Sequence, residues 1–200
     1  MIAPAKRVEN NYNKRSTDDP EERLIEVTQN DRIIGKVSRV ECHNESRKPW
    51  HRSTHIYLFS PKGKLFLSKR AKTKDTGPGQ WSASAAGHVN WDEGYDEAAK
   101  VELYEELGLR LKLRRIGKIA VDFGSEREII ALYAGVAAED KVHIQKEDEI
   151  EEIRAFDYGD VVDKFQKGTF DLSGGTRDSF LYLIKSGLLD EYRRKLVKNL

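Results

Sequence analysis

The sequence predicts an α/β fold built on a mixed sheet, and three observations lead there. Strand-like runs come first, then one long helical segment, then further strands, and helices close the chain. No stretch repeats itself, and 200 residues is the size of one ordinary domain. Hydrophobic residues make up 38% and charged residues 34% of the chain, which leaves enough apolar material for one core but places part of the chain outside it.

Each element has its own signal. Residues 1–22 are rich in Asn, Lys, Arg, Asp and Glu without apolar periodicity, and read as a flexible N-terminal arm. That leaves 23–200 as a single domain. Leu24–Thr28 reads as the first strand, and Asn30-Asp31 turns the chain towards Ile33-Ile34. Ser38–Asn44 fits one or two helical turns before the polar loop Glu45–Pro49. His55–Phe59 and Lys64–Lys69 are β runs joined by Ser60-Pro61-Lys62-Gly63, whose Pro and Gly suit a hairpin turn. The loop Lys72–Trp81 contains Gly77-Pro78-Gly79. Glu93–Leu107 has helical spacing, with Gly108 where a C-terminal cap belongs. Leu111–Phe123, Glu128–Val136 and the shorter Glu149–Phe156 read as strands. Tyr158–Gln166, Thr176–Lys185 and Leu188–Lys198 read as helices, with Phe180, Leu183, Ile184 and Leu188 spaced for a buried face.

Several classes of protein are excluded. Formal charge is +1, so no global field draws the chain to nucleic acid or acidic membrane, and no basic stripe with interleaved aromatics is present. The longest apolar run, Ile129–Ala138, has ten residues, where a transmembrane helix needs roughly 20. The N-terminal stretch lacks the apolar centre of a secretory signal. A lone cysteine, Cys42, rules out an internal disulfide framework and an all-cysteine zinc site. The expectation is a cytoplasmic protein, monomer or homodimer, with neither nucleic-acid nor membrane partners.

The segment that carries chemistry is Gly87–Leu109, GHVNWDEGYDEAAKVELYEELGL. At about 100° per residue, Ala99, Leu103 and Leu107 form a narrow apolar stripe. Glu102, Glu105 and Glu106 cluster on the adjoining face, where like charges at i, i+3 and i+4 repel one another. Either that face is solvated or a cation offsets the repulsion. Mg²⁺, which takes oxygen ligands and shares them with substrate phosphates, is the natural candidate.

Gly87, Glu93, Glu102, Glu105, Glu106 and Gly108 fall at the spacings G-x5-E-x7-R-E-U-x-E-E-x-G-U, with Leu103 and Leu109 at the aliphatic positions U. This resembles the signature of the Nudix hydrolases, with one departure: Val101 stands where the family has an Arg that helps orient the carboxylates. The resemblance implies an α/β/α sandwich with the motif as a loop–helix–loop. It also implies Mg²⁺-dependent cleavage of a diphosphate linkage by water, with Mn²⁺ as the alternative ion. By the same resemblance Glu105 and Glu106 hold the ion, and Glu102 is a further ligand or the general base. Glu93 braces the loop or joins the metal shell. In many members a late acidic loop supplies a ligand or base, which points to Glu149 or Glu151; the plainer reading of Lys146–Glu152 is a solvated turn and strand.

Trp50–Val89 is similar to the Nudix branch that includes isopentenyl-diphosphate isomerase. Its marks are His51 before a β run, Ser68-Lys69-Arg70, Lys74, Pro78-Gly79-x-Trp81 and Gly87-His88. In that branch histidines near the places of His51 and His88, and two glutamates spaced like Glu126 and Glu128, hold a metal. A strand puts i and i+2 on one face, so Glu126 and Glu128 can converge on one ion. Arg70 and Lys74, with Lys72 between them, are candidates to bind the diphosphate, or else an ordinary charged hairpin edge. His51 and His55 would sit about 13 Å apart on a strand, too far to share an ion, and His55 reads as a packed or hydrogen-bonded residue. Trp81 reads as core or as a stacking platform.

Ala86 stands where the isomerase has its catalytic cysteine, and Cys42 is distant in sequence. Isomerisation needs a proton donor and acceptor across the double bond, whereas Glu102-x-x-Glu105-Glu106 is intact. The expectation is therefore a hydrolase acting on a nucleoside-linked or other small organic diphosphate. An isomerase-like enzyme and a non-catalytic sensor of a nucleotide or metabolite are the rival readings.

Overall fold

The computed structural model describes residue 19 and residues 21–124 and 126–198, the last two as backbone only. Among these the order is β1 (Arg23–Val27), β2 (Ile33–Ser38), α1 (Arg39–Cys42), β3 (Trp50–Phe59), β4 (Leu65–Arg70), β5 (Trp81–Ser82), β6 (Ala85–His88), α2 (Tyr95–Leu107), β7 (Arg114–Phe123), β8 (Glu126–Val136), a 3-10 turn (Glu139–Lys141), β9 (Ile150–Phe156), α3 (Tyr158–Gln166), α4 (Gly174–Ser186) and α5 (Leu188–Lys198). The expected arm lies outside the described residues up to residue 18. Its last residue, Glu22, belongs to the domain, because its carbonyl accepts from Arg39 N at 2.9 Å.

β3 is the axis of a mixed sheet. It runs parallel to β8 from Trp50↔Arg127 to Phe59↔Val136 and antiparallel to β1, β4 and β6. β7 extends the sheet beyond β8, and β9 and β5 pair with β4. Alternation along β3 builds two cores. Ile56 and Leu58 pack with Ala99, Leu103 and Leu107 of α2, while Tyr57 and Phe59 pack with Phe180, Leu183 and Leu189 of α4 and α5. Helices thus cover both faces, and the α/β/α arrangement is the one expected. No helix among the described residues is long and apolar enough to cross a membrane.

The departures from the expected elements have local reasons. β3 starts at Trp50 rather than His55, because its polar first half is paired on both sides, with β1 and β6 on one and β8 on the other. β5 and β6 were not foreseen. Their Ser, Ala and Gly residues have little strand propensity, and pairing with β4 and β3 decides their conformation. α2 starts two residues later than the spacing suggests, with Gly94 as N-cap and Asp96 and Glu97 in the first turn, where the helix dipole favours anions. Gly108 ends it at φ +68°, and a Cβ there would also meet the Gln145 amide at 2.3 Å. Leu111 and Leu113 leave the expected strand to pack on the α2 core.

Leu103 lies at the centre of that core, 1% exposed. Leu103→Ala should lower unfolding free energy by about 2–5 kcal/mol in a denaturant titration; a loss well below that range would mean the α2 stripe is not packed as described.

Candidate active site

The odd-numbered face of β3 starts the site. His51, Ser53 and His55 share it, and the register sets Glu128 of β8 beside His51 and His88 of β6 beside Ser53. Glu126 lies two residues before Glu128 on the same face, and His43 enters from the end of α1. His43, His51, His88 and Glu126 each offer a ligand atom within 4.8 Å of the others. Glu128 Oε1 stands 3.6 Å from His51 Nε2 and 3.9 Å from His88 Nε2.

Each ring is held from behind. His51 Nδ1 faces Pro49 O at 3.4 Å, His43 Nδ1 faces Asp75 at 3.6 Å and His88 Nδ1 faces Glu22 at 3.3 Å. Asp75 is itself held by Arg39 at 2.7 Å. Outer partners of this kind orient histidines towards a metal. The inner Nε2 atoms of His43 and His51 are buried and make no hydrogen bond. Buried polar atoms rarely go unsatisfied, so the cluster fits a cation. Its nitrogen-rich donor set suits a first-row transition ion better than Mg²⁺.

Electrostatics agree. Burial alone would lower the His51 pKa, but Cys42 and Glu128 beside it raise it well above its ordinary value. Burial would raise Glu128, yet His51, His55 and His88 bring it down to about 2. His55 is lowered to about 4, chiefly by burial. It takes no part in the cluster and hydrogen-bonds Ser179 Oγ at 2.9 Å, the packed role expected of it.

A second donor set comes from α2 across β6. Glu102 lies against Gly87, where a Cβ would come within 2.2 Å of its carboxyl carbon; only glycine leaves this passage. Glu106 Oε2 accepts from Ala86 N at 3.3 Å. Lys146 Nζ stands 3.4 Å from Glu105 Oε2 and 2.7 Å from Glu149 Oε1. Lys74 Nζ approaches the other Glu149 oxygen at 3.2 Å. Burial and the neighbouring Glu149 charge push Glu106 up to about 8. Burial would raise Glu149 as well, but Lys74 and Lys146 hold it below its ordinary value.

Part of each donor set lines one cleft of about 890 Å³, counting its open mouth: His43, His88, Glu126 and Glu128 of the first and Glu102 and Glu149 of the second, with Arg70, Lys74 and Ala86, whereas His51, Glu105 and Glu106 lie behind its lining. Arg70 is oriented by Thr76, its Nε donating to Thr76 O at 2.7 Å and its Nη2 to Thr76 Oγ1 at 3.0 Å.

The expected residues divide as follows. Glu128 joins the histidines rather than the α2 glutamates. Glu93 does not line the cleft and accepts from Asn90 N and Nδ2 at 3.3 and 3.4 Å. Glu151 faces Lys69 at 3.5 Å, off the cleft, and Lys72 is exposed. Trp81 packs edge-on against Phe156 at 4.8 Å, as core. His43 and Lys146 were missed as site residues. The first reaches the site through the packing of α1 and the second through a loop, and no spacing in the sequence announces either.

The family profile described as NUDIX domain matches residues 49–173, more than half of the chain, and the chain belongs to the Nudix family. It is 34% identical over 96 residues to an isopentenyl-diphosphate Delta-isomerase of Serratia proteamaculans, covering 48% of this chain and 52% of that protein. It is 30% identical over 156 residues to an uncharacterized Nudix hydrolase of Clostridium acetobutylicum, covering 68% of this chain and 74% of that one. The chain spans little more than half the length of the first curated relatives it matches. Among solved structures, a Deinococcus radiodurans protein shares the fold at TM-score 0.64 and 20% identity, covering 78% of this chain and 96% of that one.

Glu106 gives a pH signature. Its folded pKa lies above that of an unfolded glutamate, ~4.3, so folding takes up a proton. Its contribution to stability is complete below the unfolded pKa and is lost as pH rises through about 8. Without divalent ions, the melting temperature of Glu106→Gln should therefore gain on the parent's between about pH 5 and pH 9. Parallel curves would show that Glu106 is not buried as described.

Proposed function

We propose that this Nudix protein is a divalent-metal-dependent hydrolase of a small organic diphosphate, nucleoside-linked or otherwise. The observation that carries the reading is the chemistry around Ala86. An isomerase needs a proton donor facing its acceptor, and at this place the cleft presents a methyl group. Cys42 is buried beside His51 and is not part of the cleft lining. The neighbouring carboxylates, Glu102, Glu105 and Glu106, suit hydrolysis instead.

Glu102, Glu105 and Glu106 would hold Mg²⁺ or Mn²⁺, and His43, His51, His88, Glu126 and Glu128 a transition ion. A divalent ion bound beside a diphosphate neutralises its charge, orients it and acidifies water. Arg70 and Lys74 would take the diphosphate oxygens, Arg70 being already aimed by Thr76. Glu102, which reaches into the cleft past Gly87, would accept the proton of the attacking water. Glu149 is the rival base. Its pairing with two ammonium groups favours the carboxylate and makes it the weaker proton acceptor.

The test is a panel of nucleoside diphosphate sugars, dinucleotides, nucleoside triphosphates, cofactors and prenyl diphosphates, with and without Mg²⁺ or Mn²⁺. Prenyl diphosphates belong in it because some relatives are named isopentenyl-diphosphate Delta-isomerases. Products should be phosphates from a split anhydride, with no shifted double bond by NMR, and Ala86→Cys should not create one. Glu105→Gln and Glu106→Gln should each lower turnover by at least ~100-fold, with partial recovery at high Mg²⁺. Glu102→Gln should not recover, because extra metal cannot replace a proton acceptor. If both metal-ligand variants hydrolyse the best substrate like the parent, this metal-site reading fails. If nothing on the panel turns over, the sensor reading takes its place.

A further inference from the structure

The acidic face of α2 already carries a cation supplied by the chain. Lys146 is only 6% exposed, and its ammonium stands between Glu149 at 2.7 Å and Glu105 at 3.4 Å. Backbone contacts deliver it there. Gln145 N donates to Glu106 O at 2.8 Å, which ties the loop to the last turn of α2. Glu149 N and Ile150 N donate to Lys146 O at 3.1 and 2.9 Å, closing the turn. Burying a lysine costs side-chain entropy and desolvates a charge, so this placement depends on the carboxylates around it. Glu105 Oε2 is buried, and this ammonium stands 3.4 Å from it.

We propose that Lys146 is a built-in occupant of the carboxylate cluster, so that a divalent ion entering this face must displace its ammonium from Glu105 and Glu149. The inference rests on reading the α2 face as a metal site. Lys74 and Lys146 offset only part of the negative charge that the carboxylates of this face bring together, which leaves a deficit of positive charge. A divalent ion suits that deficit, but not beside an ammonium that shares its ligands, because like charges repel strongly where water is scarce. A lysine head on a flexible stem can leave, and Lys146 borders the cleft. There the charge of an incoming diphosphate would receive it. The chain's own ammonium groups therefore offset part of the charge on the metal-free face, and ion uptake is favoured when ion and diphosphate arrive together.

The experiment is Mg²⁺ titration calorimetry on the parent, Lys146→Met and Lys146→Arg. Mg²⁺ is the probe because the nitrogen-rich histidine cluster suits it poorly. Lys146→Met should bind Mg²⁺ at least ~10-fold more tightly than the parent, and Lys146→Arg should stay within about threefold of it. On the parent itself, amine labelling of Lys146, read by mass spectrometry against the exposed Lys164, should rise severalfold when Mg²⁺ is added. Should Lys146→Met fail to fold without metal, Mg²⁺ should restore its melting transition, and labelling of the parent decides. If the parent binds Mg²⁺ while Lys146→Met binds it no more tightly and labelling stays flat, the displacement proposal is overturned and the metal site stands. If neither parent nor variant binds Mg²⁺, the metal-site reading falls and takes this proposal with it.

Discussion

The parallel pairing of β3 with β8 is the constraint on which the site depends. Side chains alternate along a strand, so the register His51↔Glu128 decides at once that Ser53, Glu126 and Glu128 line the cleft and that His51 lies buried beside them. The same register sends Ile56 and Leu58 to the α2 core. A slip by one residue would turn each of these to the wrong face. The apolar half of β3 prevents that slip, because Tyr57 and Phe59 have their own core under α4 and α5. Apolar burial at one end of the strand thus fixes polar geometry at the other.

β6 is the wall between the two donor sets, and its small residues make it a thin one. His88 joins the histidine cluster on one side. On the other, Gly87 lets Glu102 close in and Ala86 offers its N–H to Glu106. A larger side chain at Gly87 would push Glu102 away. The same smallness that suits the site removes the strand signal, which is why β6 forms through its pairing with β3 rather than through propensity.

What could be read from the chain follows the same division. α2 was legible because helical period, an end-capping glycine and the spacing of its glutamates agree with one another. His51, His88, Glu126 and Glu128 were singled out through resemblance, and strand alternation added that the two glutamates share a face. His43 and Lys146 were not legible. Each reaches the site by tertiary packing, one at the end of a four-residue helix and one in a loop hydrogen-bonded to Glu106 O. Glu151 shows the converse: a carboxylate in a suggestive late loop can pair with a lysine off the cleft.

The two donor sets also differ in how their charge is balanced, and this difference assigns them different tasks. The histidine cluster is shielded from behind by Pro49, Asp75 and Glu22, so its inner nitrogens are fixed before any ion arrives. Such a site favours permanent occupancy. On the α2 face the cations are side chains of the fold, Lys74 and Lys146, paired with Glu105 and Glu149. On the reading proposed above, the two sets would give the cleft one fixed and one adjustable source of positive charge.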